Sequence, residues 1–305
     1  MAETTANTTQ DLLTQFSAAM AERAAAARPL VAAVNVRGHS PRSGTLWSGN
    51  LVIASEQALP RTVEAEVVLA DGKTVAARLA GRDPGTNIAV LQLDSSVQPA
   101  WPAAVEPRPG AIVLALAADG IGGSAVRAGA VHSVGPAWHS RSGGQIDRRI
   151  WLDLRLGSGE EGGPVIDATG GLLGISTLGP RQRVLVIPTA TIERVIEPLL
   201  SKGRIARGWL GLAVQPVTVP EALREAAGPP QGLMVLGLTP DGPAAQAGVL
   251  MGDIVVAIDG AAVAGISQLA GLLGSEAVGR QVELQLIRAG QRQSVPVTLG
   301  ERPAA

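Results

Sequence analysis

Nothing constrains the fold of this chain more than the length of its apolar runs. From Val31 onward they are short, aliphatic and rich in β-branched residues, and each is closed by glycine, proline or small polar residues. The longest, Ala111–Ala118, has eight residues, whereas a helix that crosses a membrane needs about 18 or more. Short runs bounded by turn signals are strands, and their regular recurrence is that of antiparallel barrels. They fall at Val31–Val36, Leu51–Ala54, Val63–Leu69, Thr74–Leu79, Ile88–Leu93, Ala111–Ala117, Ala125–Val131, Ile150–Leu154, Val165–Asp167, Leu172–Ser176 and Val184–Ile187. With 38 glycines, 21 prolines and 46% hydrophobic residues, the composition is that of a turn-rich, well-buried β protein and not of a disordered one.

Two helices frame this series. Thr8–Ala27 places Leu12, Leu13, Phe16, Met20 and Ala24 at helical spacing, and Pro29 stops it. Thr189–Leu200 gathers Ile192, Val195, Ile196, Leu199 and Leu200 on one face. A basic link, Lys202–Arg207, leads to further strands at Trp209–Val214, Leu233–Leu238, Ile254–Ile258, Val282–Arg288 and Gln293–Leu299, with short helices at Pro243–Ala247 and Ile266–Leu273. A length of 305 residues suits two domains. The expected division is an N-terminal helix (1–28), a first β domain (29–202), a linker (203–207), a second, α+β domain (208–300) and a tail (301–305).

Charge and rare residues narrow the chemistry. The 25 basic and 26 acidic residues leave a net charge of −1, against the basic stripe of a nucleic-acid binder. Five tryptophans, one phenylalanine and no tyrosine are too few for base-stacking platforms. The absence of cysteine excludes disulfides, zinc–thiolate sites, iron–sulfur clusters and thiol catalysis. His39, His132 and His139 make no metal-ligand pattern, and the last two read as surface loop residues around Gly135-Pro136. No metal or cofactor is expected. Met1–Gln10 is polar and lacks a basic region before an apolar core, so no signal peptide is expected, which taken literally points to the cytoplasm.

Three stretches carry a family resemblance. Asp71-Gly72-Lys73 precedes Gly81-Arg82-Asp83-Pro84-Gly85-Thr86-Asn87-Ile88-Ala89-Val90-Leu91; Gly159-Glu160-Glu161-Gly162-Gly163-Pro164-Val165 follows; and Arg207-Gly208-Trp209-Leu210-Gly211-Leu212 opens the second domain. Together they resemble the HtrA/Deg family of trypsin-like serine proteases with a C-terminal PDZ domain, over about Pro29 to Leu299. The resemblance implies a mostly β protein, a chymotrypsin-like double six-stranded β-barrel followed by a PDZ domain. It also implies the bacterial envelope or periplasm, and assembly into trimers.

The chain departs from the family where the chemistry sits. A serine protease needs a hydroxyl nucleophile, an imidazole to take its proton and a carboxylate to hold the imidazole's tautomer. In the matching positions this sequence has Glu161, Gln57 and Asn87, and no histidine lies between His39 and His132. An amide in place of the triad carboxylate alone costs about 10⁴ in rate in a trypsin-type enzyme. The expectation is a pseudoprotease, with Gly159 and Glu160 left in the former oxyanion loop. Paired carboxylates at Glu56, Glu160 and Glu161 would suit acid–base work or a divalent cation; the blander reading has Glu160 and Glu161 solvated or bonded to backbone amides of that loop. Asn87 and Gln57 are expected to bond to each other as neutral amides, and Ser158 is a turn residue. Arg181 and Arg183 fall in a shortened specificity-pocket loop.

The second domain keeps its signature. Trp209-Leu210-Gly211-Leu212 is similar to the PDZ carboxylate-binding loop, which captures a chain terminus through backbone N–H groups while an edge strand accepts the peptide. Ile266, Leu269 and Leu273 would line the groove. The Pro243–Val255 stretch and the Asp259-Gly260 turn fit the same fold. The expected function is an inactive scaffold, adaptor or chaperone-like protein that binds polypeptide segments or protein C-termini. The alternatives are a hydrolase working through Glu161 or a metal, and a regulatory subunit of an active homologue, as a homo-oligomer or a hetero-assembly.

Overall fold

A computed structural model describes residues 2–61, 64–97, 102–119, 123–221 and 230–303, with 2–10 described by backbone alone. Two compact units result: Met1–Trp138 with Ile146–Arg204, and His139–Gln145 with Ile205–Ala305.

The first unit opens with helix α1 (Ala2–Ala27). It starts before Thr8, a start the apolar pattern does not mark because residues 2–7 carry no apolar period. Six strands then close a barrel in the order β1 (Val31–Val36), β2 (Arg42–Leu46), β3 (Leu51–Ser55), β6 (Ile88–Leu93), β5 (Thr74–Asp83) and β4 (Glu64–Leu69). Along β4, Glu64 and Glu66 face water while Ala65, Val67 and Leu69 face the core, the two-residue period that a half-buried strand imposes. Strand β2, which the aliphatic-run criterion misses, is polar by sequence yet buried: the Ser43 and Thr45 hydroxyls donate to the Gly159 and Gly162 carbonyls at 2.9 Å each.

The second barrel runs β11 (Arg149–Asp153), β14 (Val184–Pro188), β13 (Leu172–Leu178), β12 (Pro164–Asp167), β7 (Ile112–Ala118) and β8 (Ser124–Gly135), around Val113, Val131, Ile150, Val165 and Val186. Between β8 and β11, the short strands β9 (Trp138–His139) and β10 (Gln145–Ile146) pair with each other. Strand β13 packs on β3, which is why all five residues of β3 are buried. Helix α2 (Thr189–Lys202) lies against β5, β6, β13 and β14, burying Ile192, Val195 and Leu199. It ends at Gly203 in the left-handed conformation, whose N–H caps the Leu199 carbonyl.

In the second unit a sheet runs β16 (Leu212–Thr218), β17 (Gln231–Leu238), β18 (Ile254–Ile258), β20 (Gln281–Arg288) and β21 (Gln291–Thr298), with β19 (Ala261–Ala262) paired to β18. Strand β15 (Gly208–Trp209) pairs with β22 (Gly300–Glu301), and helices α3 (Pro243–Gln246) and α4 (Ile266–Leu272) complete the unit. Asp259 and Gly260 both have positive φ and close the β18–β19 hairpin, as the Asp-Gly pair requires. The fold is mostly β: two closed six-stranded barrels of the trypsin-like kind and a PDZ-like β domain.

Candidate functional site

Gln57, Asn87 and Glu161 come together where the barrels meet. Asn87 sits in the β5–β6 turn. Asp83 builds that turn by accepting from the Gly85 and Thr86 N–H groups and the Thr86 hydroxyl, at 3.1, 3.0 and 2.7 Å. Asn87 then adopts φ 58°, a conformation that asparagine tolerates. Its side-chain carbonyl accepts from the Gln57 backbone N–H at 2.8 Å, so the two amides meet through backbone and not side chain to side chain. The Asn87 Nδ2 turns instead to Thr177 Oγ1 at 2.5 Å and Ser55 Oγ at 3.0 Å.

Glu161 is the hub. Its Oε2 accepts from Gln57 Nε2 at 2.6 Å, Leu178 N–H at 2.5 Å and Thr177 Oγ1 at 3.0 Å. Gln57 Nε2 also donates to the Leu178 carbonyl at 2.9 Å and lies 3.2 Å from Thr177 Oγ1. Glu161 is buried, and its donors come from both barrels: Gln57 from the 3₁₀ turn Glu56–Ala58 after β3, and Thr177 and Leu178 from β13. The sequence gives no sign of Thr177 or Leu178 as partners, because they lie on the far side of the chain's β12–β13 turn. None of the three histidines bonds to this cluster: His39 and His132 are exposed, and His139 belongs to the second unit. A carboxylate beside a hydroxyl is a base beside a nucleophile, and this hydroxyl belongs to Thr177, which is 2% exposed.

Glu160 is not solvated either. Its carboxylate takes a bidentate pair from Arg127, Nη2 to Oε1 at 2.7 Å and Nε to Oε2 at 3.0 Å, and the Gly157 N–H at 2.6 Å. The Arg127 hydrogen bonds hold this carboxyl below its usual range, against the opposing effect of burial. The Glu160 N–H donates to the Gly157 carbonyl at 3.3 Å, so this loop closes on itself. Glu56 pairs with Arg82 at 2.8 Å. Each carboxylate thus has its own partners, and among the described residues no three His, Cys, Asp or Glu side chains group as a metal site would need. Exposed Ser158 takes no part.

The loop after β13 turns at Arg181 and Gln182, both with positive φ, and Arg183 stacks its guanidinium 4.5 Å from the centre of the Trp151 ring.

The second unit holds a groove of about 170 Å³ lined by Trp209, Leu210, Gly211, Leu212, Ile266, Leu269 and Leu273, the residues the sequence singles out. Gly211 has φ +75°, and a Cβ there would meet Gly242 Cα and the Trp209 ring at 3.4 Å. Among the described residues, the Leu210 and Gly211 N–H groups donate to no backbone carbonyl, while the carbonyls of both are used by Ala244 and Thr239. Strand β16 beside this loop is an edge of its sheet. Arg207, which opens the second domain's motif, also lines the groove, as do Arg141, Ser142 and Arg302, which no sequence motif flags. His139 sits not on a bare loop but against α4, where a Cβ at Gly271 would touch its ring at 3.0 Å.

Comparison with known proteins bears on the same residues. A trypsin-like peptidase domain family model matches residues 42–175, and a PDZ domain model matches residues 208–299. A probable periplasmic serine endoprotease, DegP-like, of Halomonas elongata is 30% identical over 289 residues, 88% of this chain and 59% of that protein. The DegP-like protein of Brucella suis is 32% identical over 248 residues, 78% of this chain and 48% of that one. The chain therefore spans about half to three-fifths of the length of these relatives. The serine endoprotease from Yersinia pestis superposes with a TM-score of 0.72 at 27% identity, covering 92% of this chain and 98% of that one. The HtrA-type protease AlgW, solved with a tripeptide, gives 0.73 at 27%, covering 93% and 98%.

Proposed function

The chain joins a trypsin-like peptidase domain to a PDZ domain in the arrangement of the HtrA/DegP family, and from that premise we propose that it binds polypeptides without cleaving them. One observation carries this reading: the position of the nucleophile holds Glu161, whose buried carboxylate is engaged by Gln57, Thr177 and Leu178. Acyl transfer through a serine needs a hydroxyl that an adjacent base can deprotonate at the surface of a cleft. Here an amide stands in the place of the base and another in that of the orienting group, and the hydroxyls in reach, Ser55 and Thr177, are both buried.

The binding function falls to the PDZ domain. Two backbone N–H groups in a turn that requires glycine, an adjacent edge strand and an apolar floor are what capture of a chain terminus requires. The tripeptide in the AlgW structure supports a peptide as the ligand class. The protein acts as a scaffold, adaptor or chaperone-like partner, and the names of its relatives support the periplasm or envelope as its place of work. The test is fluorescence anisotropy with free-acid peptides on the natural protein and on Gly211→Leu. A leucine at φ +75° moves the loop, and binding should weaken at least about tenfold; equal affinity, with the variant's fold intact, removes the PDZ part of the proposal.

A second reading rests on α1, where Leu12, Leu13 and Phe16 are 61%, 65% and 51% exposed. Such a stripe supports assembly, with further copies of this chain or with an active homologue that it regulates. A light-scattering mass of one 31.0 kDa chain argues against self-assembly.

A further inference from the structure

The groove of the second unit is not merely apolar. Arg141, Arg207 and Arg302 stand on its lining, and no aspartate or glutamate does. Arg302 is held in place: its backbone N–H donates to the Arg207 carbonyl at 2.9 Å, and its Nη1 donates to the Ser142 carbonyl at 3.2 Å. Two acidic groups lie nearby without lining the groove. Glu301 sits opposite Gly208 across the β15–β22 pair, and the Glu276 carboxylate folds over Gly274. Positive charge therefore dominates the mouth of the groove in a chain whose net charge is −1.

A terminal carboxylate is a single charge, and the amides of Leu210 and Gly211 supply it with donors. The guanidinium groups of Arg141 and Arg302 are additional to what that one charge needs. An extended peptide laid along β16 sends alternate side chains to opposite sides. Its last side chain enters the floor formed by Leu210, Ile266, Leu269 and Leu273, and its neighbours face outward to the rim. Arginine is the residue best shaped to meet a carboxylate there, with paired donors in a fixed fork. We propose that this groove selects acidic C-termini, peptides that carry an aspartate or glutamate within the three residues before the terminal one. The proposal rests on the PDZ reading above and adds the chemical class of the ligand to it.

Anisotropy with the whole chain tests this, using eight-residue peptides that end in valine and carry Glu or Gln at each of the three preceding positions, each as free acid and as amide. At one position or more, Glu should bind about five- to tenfold tighter than Gln at low salt. The preference should shrink in 0.5 M salt, and the ratio of Glu-peptide to Gln-peptide affinity should fall to about one in Arg141→Gln/Arg302→Gln. If the variant also loses the Gln peptide, the salt dependence of the natural protein decides. Equal binding of Glu and Gln peptides at all three positions, with the amides inactive, overturns the acidic preference and leaves C-terminal capture standing. Failure of every free-acid peptide to bind overturns both.

Discussion

A buried carboxylate such as that of Glu161 needs several donors, and the fold supplies them. This carboxylate ties Gln57 of the first barrel to Thr177 and Leu178 of the second. Glu161→Ala should therefore change stability more than chemistry. It leaves the Leu178 N–H, the Gln57 amide and the Thr177 hydroxyl without their shared acceptor, at a cost of about 1–3 kcal/mol, read by urea denaturation. Glu160 makes a pH-dependent contribution. Its folded carboxyl is held below the ordinary value, so the stabilisation is present above that value, about 4.3, and is lost as pH falls through the lower, folded one. Thermal melts should be steady from pH 7 to about pH 5 and fall below about pH 4. Arg127→Gln should reduce that acid-side loss.

At the scale of elements, the turn that carries Glu161 depends on close approach. A Cβ at Gly162, where φ is +101°, would lie 2.4 Å from the Ser43 carbonyl, and one at Gly163 would lie 1.9 Å from that of Leu116. Gly162→Ala should cost about 3 kcal/mol or more and lower the melting temperature by several degrees. In the second unit, Asp253 ties the turn before β18 to β20. Arg288 donates Nη2 to Oδ2 at 2.7 Å and Nε to Oδ1 at 2.9 Å, and the Leu250 N–H adds a bond at 2.8 Å. Burial pushes this carboxyl up, but those hydrogen bonds outweigh it and hold it low. Asp253→Ala strands Arg288 and should cost about 2–4 kcal/mol. The same elements show what a sequence can express. Val31–Val36 and Ile254–Ile258 are legible because aliphatic runs mark strands wherever they occur. Strand β2 is not, because Ser43 and Thr45 point inward to carbonyls of the Gly159–Gly162 loop, a pairing set by contacts more than a hundred residues apart. The Glu161 cluster is half legible for the same reason: motif spacing identifies Gln57, Asn87 and Glu161, while Thr177 and Leu178 reach it, and Arg127 reaches Glu160, only through the fold.

Across the whole molecule, one unit keeps the architecture of a peptidase and fills its centre with a closed set of hydrogen bonds, and the other keeps a groove with open amides and a basic rim. The proposed reading is binding without cleavage, so hydrolysis tests it most directly. The measurement is cleavage of unfolded casein over several hours by the purified natural protein, with Glu161→Ala in parallel. The expected result is no cleavage by either protein beyond the buffer control. Cleavage by the natural protein that disappears in Glu161→Ala would contradict it, and would place carboxylate chemistry at a site read here as closed.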